Sequence, residues 1–309
     1  MALFRTHSVI NILKNQRRFS ALCKTVNKNK DTLNNYYPVF ITQRYLFWES
    51  HRKGGYKTEE NISNWEHMKN GFKELKHECK LFAQEVKELF ESDPILISRP
   101  GEIDVLWCLD RPEVLNQFVT TADSDHNEGF SNCKLEMSRA GRGLFHGYLD
   151  TRVPKDGRIK NAGYAAMRSV RLRKSFKREA TYDWHIYNTL VLKVRGDGRS
   201  YLLNISCEGY HDIMWNDIYH YVLYTRGGPY WQMAKIPFSK FVLGSKGRLQ
   251  DKQNRFRFDR VTHFGISCGD KIVGKFNLEI EYVGLEFDPT HEEEFAYEMY
   301  KTDKFIVGV

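Results

Sequence analysis

The segment LVLKVRGDGRSYLLNIS, residues 190–206, places a short glycine turn between two stretches of alternating apolar residues. Alternation puts the apolar residues of each stretch on one side of an extended strand. These residues are Leu190, Leu192, Val194, Tyr201, Leu203 and Ile205. Asp-Gly is a favoured pair for a two-residue turn, because both positions require a positive φ. A turn at Asp197-Gly198 would pair the two strands with these side chains on the same side. The segment therefore predicts a β-hairpin, with Gly196, Asp197 and Gly198 as its structural turn.

Two functional interpretations of the glycine-rich segments are not supported by the rest of the sequence. Arg195-Gly196-Asp197 matches an adhesion tripeptide, but an adhesion loop requires a secreted protein, and the N-terminal segment argues against secretion. The segment GDKIVGKF, residues 269–276, has the glycine and lysine spacing of a phosphate-binding loop. Phe276 stands where that loop needs serine or threonine, and a strand-like pattern follows in place of a helix. The sequence therefore argues against nucleotide binding.

The region from about residue 116 to residue 288 has the period-two pattern of β-strands, interrupted by Gly, Asp, Asn and Pro. The candidate strands are 116–121, 133–138, 143–149, 162–169, 188–195, 199–207, 218–225, 230–236, 261–268 and 275–285. Helical patterns do not separate most of them, which argues against parallel β-α-β units. The region therefore predicts a mainly β domain, an antiparallel sandwich or barrel.

An amphipathic helix is predicted over residues 58–92, ahead of the strands. Six apolar residues follow one another at intervals of three and four, which places them on one side of a helix; they are Phe72, Leu75, Cys79, Phe82, Val86 and Leu89. Thr58 can cap its start and Asp93-Pro94 ends it. Gly71 marks a candidate kink or break. The apolar side either docks on the chain's own domain or binds a partner. The next segment, 94–116, holds three prolines and predicts an irregular connection.

Most of the net charge of +8 lies in the N-terminal segment. Residues 1–40 carry seven Lys/Arg and one acid, which leaves 40 basic and 38 acidic residues in the rest of the chain. A nucleic-acid partner is therefore not implied. The apolar runs of the segment are too short for a secretory signal, whereas its arginine-rich composition fits a mitochondrial transit peptide. Arg17-Arg18-Phe19-Ser20 predicts cleavage after Phe19. The sequence offers no apolar stretch of roughly 20 residues that would predict a membrane span.

Catalytic and metal-binding patterns are missing from the sequence. The six cysteines stand singly, without a Cys-x-x-Cys pair, and the eleven histidines form no metal-ligand spacing. Asp123, Asp125 and Glu128 only loosely resemble a calcium loop. Glu279 and Glu281 share one side of a predicted strand, where surface carboxylates are common. We therefore predict no catalytic residue, no cofactor and no metal.

Aromatic residues between positions 184 and 231 suggest an alternative function. They are Trp184, Tyr187, Trp215, Tyr219, Tyr221, Tyr224, Tyr230 and Trp231. An aromatic face or loop end of a sandwich can stack on sugar rings, which would make the chain a carbohydrate-binding module. The same residues can belong to the core, since Tyr and Trp are strongly buried on average.

Five blocks of sequence resemble the complex I intermediate-associated protein 30 family. They are GLFHGYL, NAGYAAMRS, LVLKVRGDGRSYLLNI, WQMAKIPFSKF and FGISCGDKIVGKFNLEIEYVGL, within residues 116–286. The resemblance implies a galactose-binding-domain-like jelly-roll β-sandwich. It further implies a non-catalytic assembly factor for respiratory complex I, which acts with other assembly factors on membrane-arm intermediates. Its expected location is the mitochondrial matrix, peripheral to the inner membrane. One family glycine is replaced in Glu128-Gly129-Phe130-Ser131, which loosens the comparison at this loop.

Four regions follow from these patterns. We expect a transit peptide and leader over residues 1–35, a helical extension over 36–100, the sandwich over 101–288 and a C-terminal tail over 289–309, which begins as a short acidic helix. The candidate partner-binding residues are those on the apolar side of the helix, namely Phe72, Leu75, Phe82, Val86 and Leu89.

Overall fold

The computed structural model describes residues 64–91, 99–155, 157, 159–208, 217–245, 247–251, 253–254 and 257–293. The predicted leader with its cleavage point, residues 58–63 and the tail beyond residue 293 lie outside this part. The helices are α1 (Asn64–Glu91) and α2 (Pro112–Leu115). The strands are β1 (Ile103–Cys108), β2 (Phe118–Ala122), β3 (Asn132–Met137), β4 (Gly143–Leu149), β5 (Ala165–Ser169), β6 (Thr189–Arg195), β7 (Ser200–Cys207), β8 (Asp217–Tyr224), β9 (Gln232–Pro237), β10 (Val242–Ser245), β11 (Arg248–Leu249), β12 (Val261–Cys268) and β13 (Gly274–Glu286).

The strands form two antiparallel sheets. One has the order β3-β4-β13-β6-β9, with β1 also paired to β13; the other has the order β11-β10-β8-β7-β12-β5-β2. Each sheet buries one face in a shared apolar core, which is why the strands alternate in sequence. The largest wholly buried side chains include Trp184, Tyr201, Phe145, Phe264 and Phe276. The predicted antiparallel sandwich with an N-terminal helix is confirmed.

The predicted hairpin at residues 190–206 is wrong. β6 pairs with β13 and β9, whereas β7 pairs with β12 and β8 in the other sheet. The turn at 196–199 therefore crosses from one sheet to the other. Leu192 and Leu203 are 0% exposed and belong to the common core. The same holds for the other alternating residues of the two strands, namely Leu190, Val194, Tyr201 and Ile205. Alternation correctly predicted the inward side of each strand. It could not distinguish a hairpin from a crossover, because both place these side chains in the same core.

Four further features differ from what the sequence predicted. The segment 94–116 is not wholly irregular, since β1 lies between Pro100 and Pro112 and the prolines flank the strand rather than interrupt it. Residues 242–249 contain β10 and β11, which were not predicted. Residues 289–293 are not helical at the start of the C-terminal tail. The helix α1 runs through Gly71 without interruption.

A buried carboxylate anchors the loop between β2 and β3. Asp123 is 0% exposed. It accepts hydrogen bonds from the Ser131 amide at 2.7 Å, the Ser131 hydroxyl at 3.0 Å and the Gly163 amide at 2.8 Å. A Cβ on Gly129 would stand 2.2 Å from the Asp123 carboxylate, so this glycine is required by close packing. Asp123, the first acid of the loop that loosely resembles a calcium site, thus binds groups of the protein itself. Within the described ranges, no group of three His, Cys, Asp or Glu side chains could hold a metal ion.

Candidate functional site

The helix α1 contacts the sandwich through acidic side chains. The Glu85 carboxylate accepts from the Ser175 amide at 2.5 Å and from the Ser175 hydroxyl at 3.0 Å. The Glu78 carboxylate accepts from the Phe176 amide at 2.7 Å. Lys177 forms an ion pair with Glu74 at 3.2 Å. The short 3-10 turn Ser175–Lys177 is therefore held against the helix by charged hydrogen bonds, which are stronger than neutral ones.

The backbone of this turn is arranged to receive the carboxylates. Phe176 and Lys177 have φ values of 56° and 58°, in the left-handed region. Such conformations are uncommon for residues other than glycine and persist only where surrounding contacts support them. Consecutive left-handed or turn conformations can point backbone amides at an anion. Here the amides of Ser175 and Phe176 bind the carboxylates of α1.

The predicted partner-binding residues lie on the exposed side of the helix, although Phe82 also touches the 3-10 turn through Phe176. Phe72, Leu75, Phe82, Val86 and Leu89 are 67%, 52%, 46%, 37% and 76% exposed, respectively. The apolar side of the helix is therefore mostly accessible and is not docked on the sandwich along its length. We call the helical line of apolar side chains the apolar stripe. It comprises Trp65, Met68, Phe72, Leu75, Cys79, Phe82, Val86 and Leu89.

Phe82 is where the apolar stripe approaches the sandwich. Its ring centroid lies 5.9 Å from that of Phe176, and the Arg178 guanidinium lies 6.0 Å from its centroid. Arg178 also pairs with Glu85. Because Phe176 is itself half exposed, this contact extends the apolar surface from the helix onto the sandwich.

The structural turn at residues 196–198 is fixed by its own carboxylate. Asp197 accepts from the Arg199 amide at 3.1 Å, the Tyr201 hydroxyl at 3.2 Å and the Asn277 amide at 2.7 Å. Burial, with the nearby Asp197 carboxylate, raises the pKa of Tyr201. A Cβ on Gly196 would stand 2.3 Å from the Thr225 side chain, so this residue also has a packing role. The carboxylate that an adhesion motif would present is thus engaged within the fold.

The second glycine-rich segment lies beside the first. Arg199 hydrogen-bonds to the carbonyl of Ile272, and its Nε lies 3.6 Å from the Asp270 carboxylate. Gly274 then begins β13, so the segment opens a strand and not the helix that a phosphate-binding loop requires. We call the turns 196–199, 225–231 and 269–273 the crossover end, since each connects one sheet to the other.

Replacing Gly198 by valine is expected to lower the free energy of unfolding by about 1–3 kcal/mol. Gly198 has a φ of 94°, a conformation that a β-branched residue adopts only with strain. Urea unfolding followed by tryptophan fluorescence would measure the change. Lys275→Val, at an exposed strand position near the same end, is the control and should change stability by less than about 0.5 kcal/mol. Wild-type stability of Gly198→Val would contradict the assigned turn.

Two of the three glutamates of β13 form ion pairs with basic residues in or next to the neighbouring strands. Glu279 pairs with Arg195. Glu281 pairs with Lys193 at 2.7 Å and with Arg142 at 3.4 Å. Carboxylates held in such ion pairs are suited to a structural role, because they join neighbouring strands of the sheet.

The aromatic residues that suggested carbohydrate binding are divided between the core and the surface. Trp184 is 1% exposed and stacks on Phe238 at 5.8 Å. Tyr224 and Tyr230 are 73% and 79% exposed. Trp231 lies 5.3 Å from the Arg195 guanidinium, and Trp215 is outside the described residues. The described aromatic residues therefore do not form one continuous sugar-binding face.

A cavity of about 280 Å³ lies elsewhere on the sandwich. Its lining includes Tyr187, Tyr219 and Phe258, with Ser239 and His291 at one side. The Ser239 hydroxyl and the Nε2 of His291 are 3.0 Å apart. The lining also includes Glu292 and Glu293, so the cavity combines aromatic walls with polar and charged residues.

Among the described helices, none combines the length and the apolar character that a membrane span requires.

Comparisons with known proteins identify the family. The family model described as Complex I intermediate-associated protein 30 matches residues 107–280. The mitochondrial complex I intermediate-associated protein 30 of Drosophila melanogaster is 61% identical over 265 residues, which cover 85% of this chain and 90% of the relative. Its counterpart in Mus musculus is 42% identical over 63% of this chain and 59% of the relative. A family 11 carbohydrate-binding module of Clostridium thermocellum matches 62% of this chain and 98% of its own at 13% identity, with a TM-score of 0.44. The chain belongs to the complex I intermediate-associated protein 30 family.

Proposed function

We propose that this protein is a non-catalytic assembly factor for mitochondrial respiratory complex I. Family membership supports a role in complex I assembly, and the relatives of Drosophila melanogaster and Mus musculus are named as mitochondrial proteins. We further propose that it acts in the matrix, peripheral to the inner membrane, after cleavage behind Phe19. It would act through contacts with other assembly factors and membrane-arm intermediates, without a cofactor or nucleic acid.

The exposed apolar stripe of α1 is the observation that carries this proposal. Large apolar side chains exposed together on a soluble domain are typical of an interaction surface. The sandwich holds the helix by its acidic side and leaves Phe72 and Leu75 accessible. We propose that the stripe, with Phe72, Leu75, Phe82, Val86 and Leu89, recruits the protein to its assembly intermediates.

The double variant Phe72→Ser and Leu75→Ser tests this role in cells that lack the endogenous protein. We expect the fraction of the protein that co-migrates with complex I intermediates on native gels to fall roughly tenfold, because exposed aromatic and aliphatic anchors dominate interfaces. Stability should change little, since both side chains are exposed.

A matched control replaces two equally exposed aromatic residues away from the helix. Tyr224→Ser with Tyr230→Ser, near the crossover end, should leave co-migration unchanged. Equal loss in both double variants, or no loss in the helix variant, would contradict a specific role for α1. Absence of the wild-type protein from every complex I intermediate would contradict the proposed function itself.

A further inference from the structure

Most charged residues of α1 lie on opposite flanks of the apolar stripe; Glu66 and Glu91, one at each end of the helix, are acids on the flank that carries the lysines. The acids that bind the sandwich each precede a stripe residue by one position; they are Glu74, Glu78 and Glu85. Five lysines each follow a stripe residue by one position; they are Lys69, Lys73, Lys76, Lys80 and Lys87. One residue is a rotation of about 100° on a helix. The lysines therefore form a row, here called the lysine row, on the flank away from the acids.

The lysine row faces away from the contact with the sandwich. Lys69, Lys73, Lys76 and Lys80 are exposed, and Lys87 pairs at 3.7 Å with Glu91 of the same helix. Of the acids, those at positions 74, 78 and 85 are bound to the 3-10 turn or the side chains beside it. Between its two ends, the accessible surface of the helix thus combines apolar and positively charged side chains, whereas Glu66 and Glu91 are exposed at the ends.

The sandwich continues this surface beside the helix. Arg173 and Lys174 are exposed in the loop that leads to the 3-10 turn. Phe176 is half exposed and touches Phe82. Basic groups therefore border the apolar stripe on the helix and near its point of contact with the sandwich.

We propose that α1 binds the surface of an anionic phospholipid bilayer, with the apolar stripe in the interfacial layer and the lysine row at the lipid headgroups. Helices with Trp, Phe and Leu on one side and Lys on the polar side are typical of in-plane membrane binding. Lysine stems can lie along the apolar layer while the ammonium groups reach the headgroups. The stripe and the lysine row run along a helix of 28 residues, about 42 Å long, which suits a flat surface more than a local protein pocket.

This inference rests on the proposed function, which includes a location peripheral to the inner membrane. It adds the kind of partner that the apolar stripe would bind. A protein groove would need apolar walls along the stripe and acidic groups along the lysine row. An anionic bilayer supplies both over its whole area. The orientation of α1 also keeps its acidic contacts on the flank bound by the sandwich, where they would not oppose the lipid charge.

Vesicle binding by the full chain provides the test. Trp65 is 70% exposed on the stripe, and its emission should shift to shorter wavelength when it enters the interfacial layer. The chain has six tryptophans, so subtraction of the Trp65→Phe variant isolates this signal. We expect the shift with vesicles of phosphatidylcholine and phosphatidylglycerol, and a much weaker one with phosphatidylcholine alone. Added salt should reduce the binding.

The triple variant Lys69→Gln, Lys73→Gln and Lys76→Gln should bind the anionic vesicles roughly 100-fold more weakly, because each lysine near an anionic surface contributes a several-fold factor. The matched triple change of these lysines to arginine should bind as the wild type does. The site-specific Trp65 signal separates binding by α1 from binding by the basic N-terminal segment. No Trp65 shift with anionic vesicles, or equal affinity of the glutamine variant, would overturn the proposal.

The two proposals fail in different ways. Loss of co-migration in the Phe72→Ser and Leu75→Ser variant, without vesicle binding by the wild type, would assign the surface to a protein partner and overturn the lipid proposal only. Lysine-dependent vesicle binding without association with any complex I intermediate would support the lipid proposal and overturn the proposed function.

Discussion

Replacing Asp123 by alanine is expected to lower the free energy of unfolding by roughly 4 kcal/mol. The change removes the acceptor of three hydrogen bonds while their donors, the amides of Ser131 and Gly163 and the Ser131 hydroxyl, stay with the folded loop. Buried donors without an acceptor have lost their hydrogen bonds to water and form none within the protein, which destabilises the folded state. Urea unfolding at neutral pH would measure the loss, and hydrogen exchange should locate it first in residues 123–131.

The exposed Glu128 provides the control for this carboxylate. Glu128→Gln neutralises an acid of the same loop, whose carboxylate accepts a hydrogen bond from the Tyr164 hydroxyl at 3.4 Å. We expect a change within about 0.5 kcal/mol. Near-wild-type stability of Asp123→Ala would show that the three hydrogen bonds do not anchor the loop. Stabilisation of the wild type by calcium, lost in Asp123→Ala, would instead indicate a metal role for this loop.

Replacing Gly147 by alanine is expected to lower the free energy of unfolding by about 3 kcal/mol or more. A Cβ at this position of β4 would lie 2.0 Å from the carbonyl oxygen of Asn132 and 2.9 Å from the Cα of Cys133. These atoms belong to the backbone of β3, which must move as a unit and would lose its register with β4. Thermal and urea unfolding would measure the effect.

The same substitution at Gly71 should act in the opposite direction. No heavy atom lies within 4 Å of a Cβ built there, and the residue is inside α1. Alanine should favour the helix by about 0.5–1 kcal/mol. Hydrogen exchange in α1 would detect this as slower opening.

Equal stability of Gly147→Ala and the wild type would contradict the first of these two predictions. It would show that β3 and β4 can separate without cost.

The sequence predicted the inward faces of the strands better than their partners. Alternation identified Leu192 and Leu203 as core residues, but pairing depends on contacts far along the chain. β6 lies beside β13, which begins about 80 residues after β6 ends. Asp123 is a similar case: nearby acids suggested a calcium loop, whereas the amide that turns its carboxylate inward comes from Gly163, 40 residues later.

The candidate surface on α1 was partly visible in the sequence. Period analysis placed Phe72, Leu75 and their neighbours on one side of a helix, but it left open whether this side faced the protein or a partner. The orientation depends on the turn Ser175–Lys177, about 90 residues beyond Glu85. The positions of the charged residues were also informative. Glu74, Glu78 and Glu85 each precede a residue of the apolar stripe by one position, whereas the lysines each follow one, so the sequence alone places them on opposite flanks of the helix.

The long strand β13 limits how early a newly made chain can complete its fold. It is the last strand among the described residues, yet its 13 residues pair with β1, β4 and β6. Contacts between such distant segments form slowly, because a large loop must close before they stabilise the fold. Until residues 274–286 are available, β1 and one edge of both β4 and β6 remain unpaired. Incomplete chains would therefore expose strand edges that can aggregate, and they should depend on chaperones until the C-terminal strand arrives.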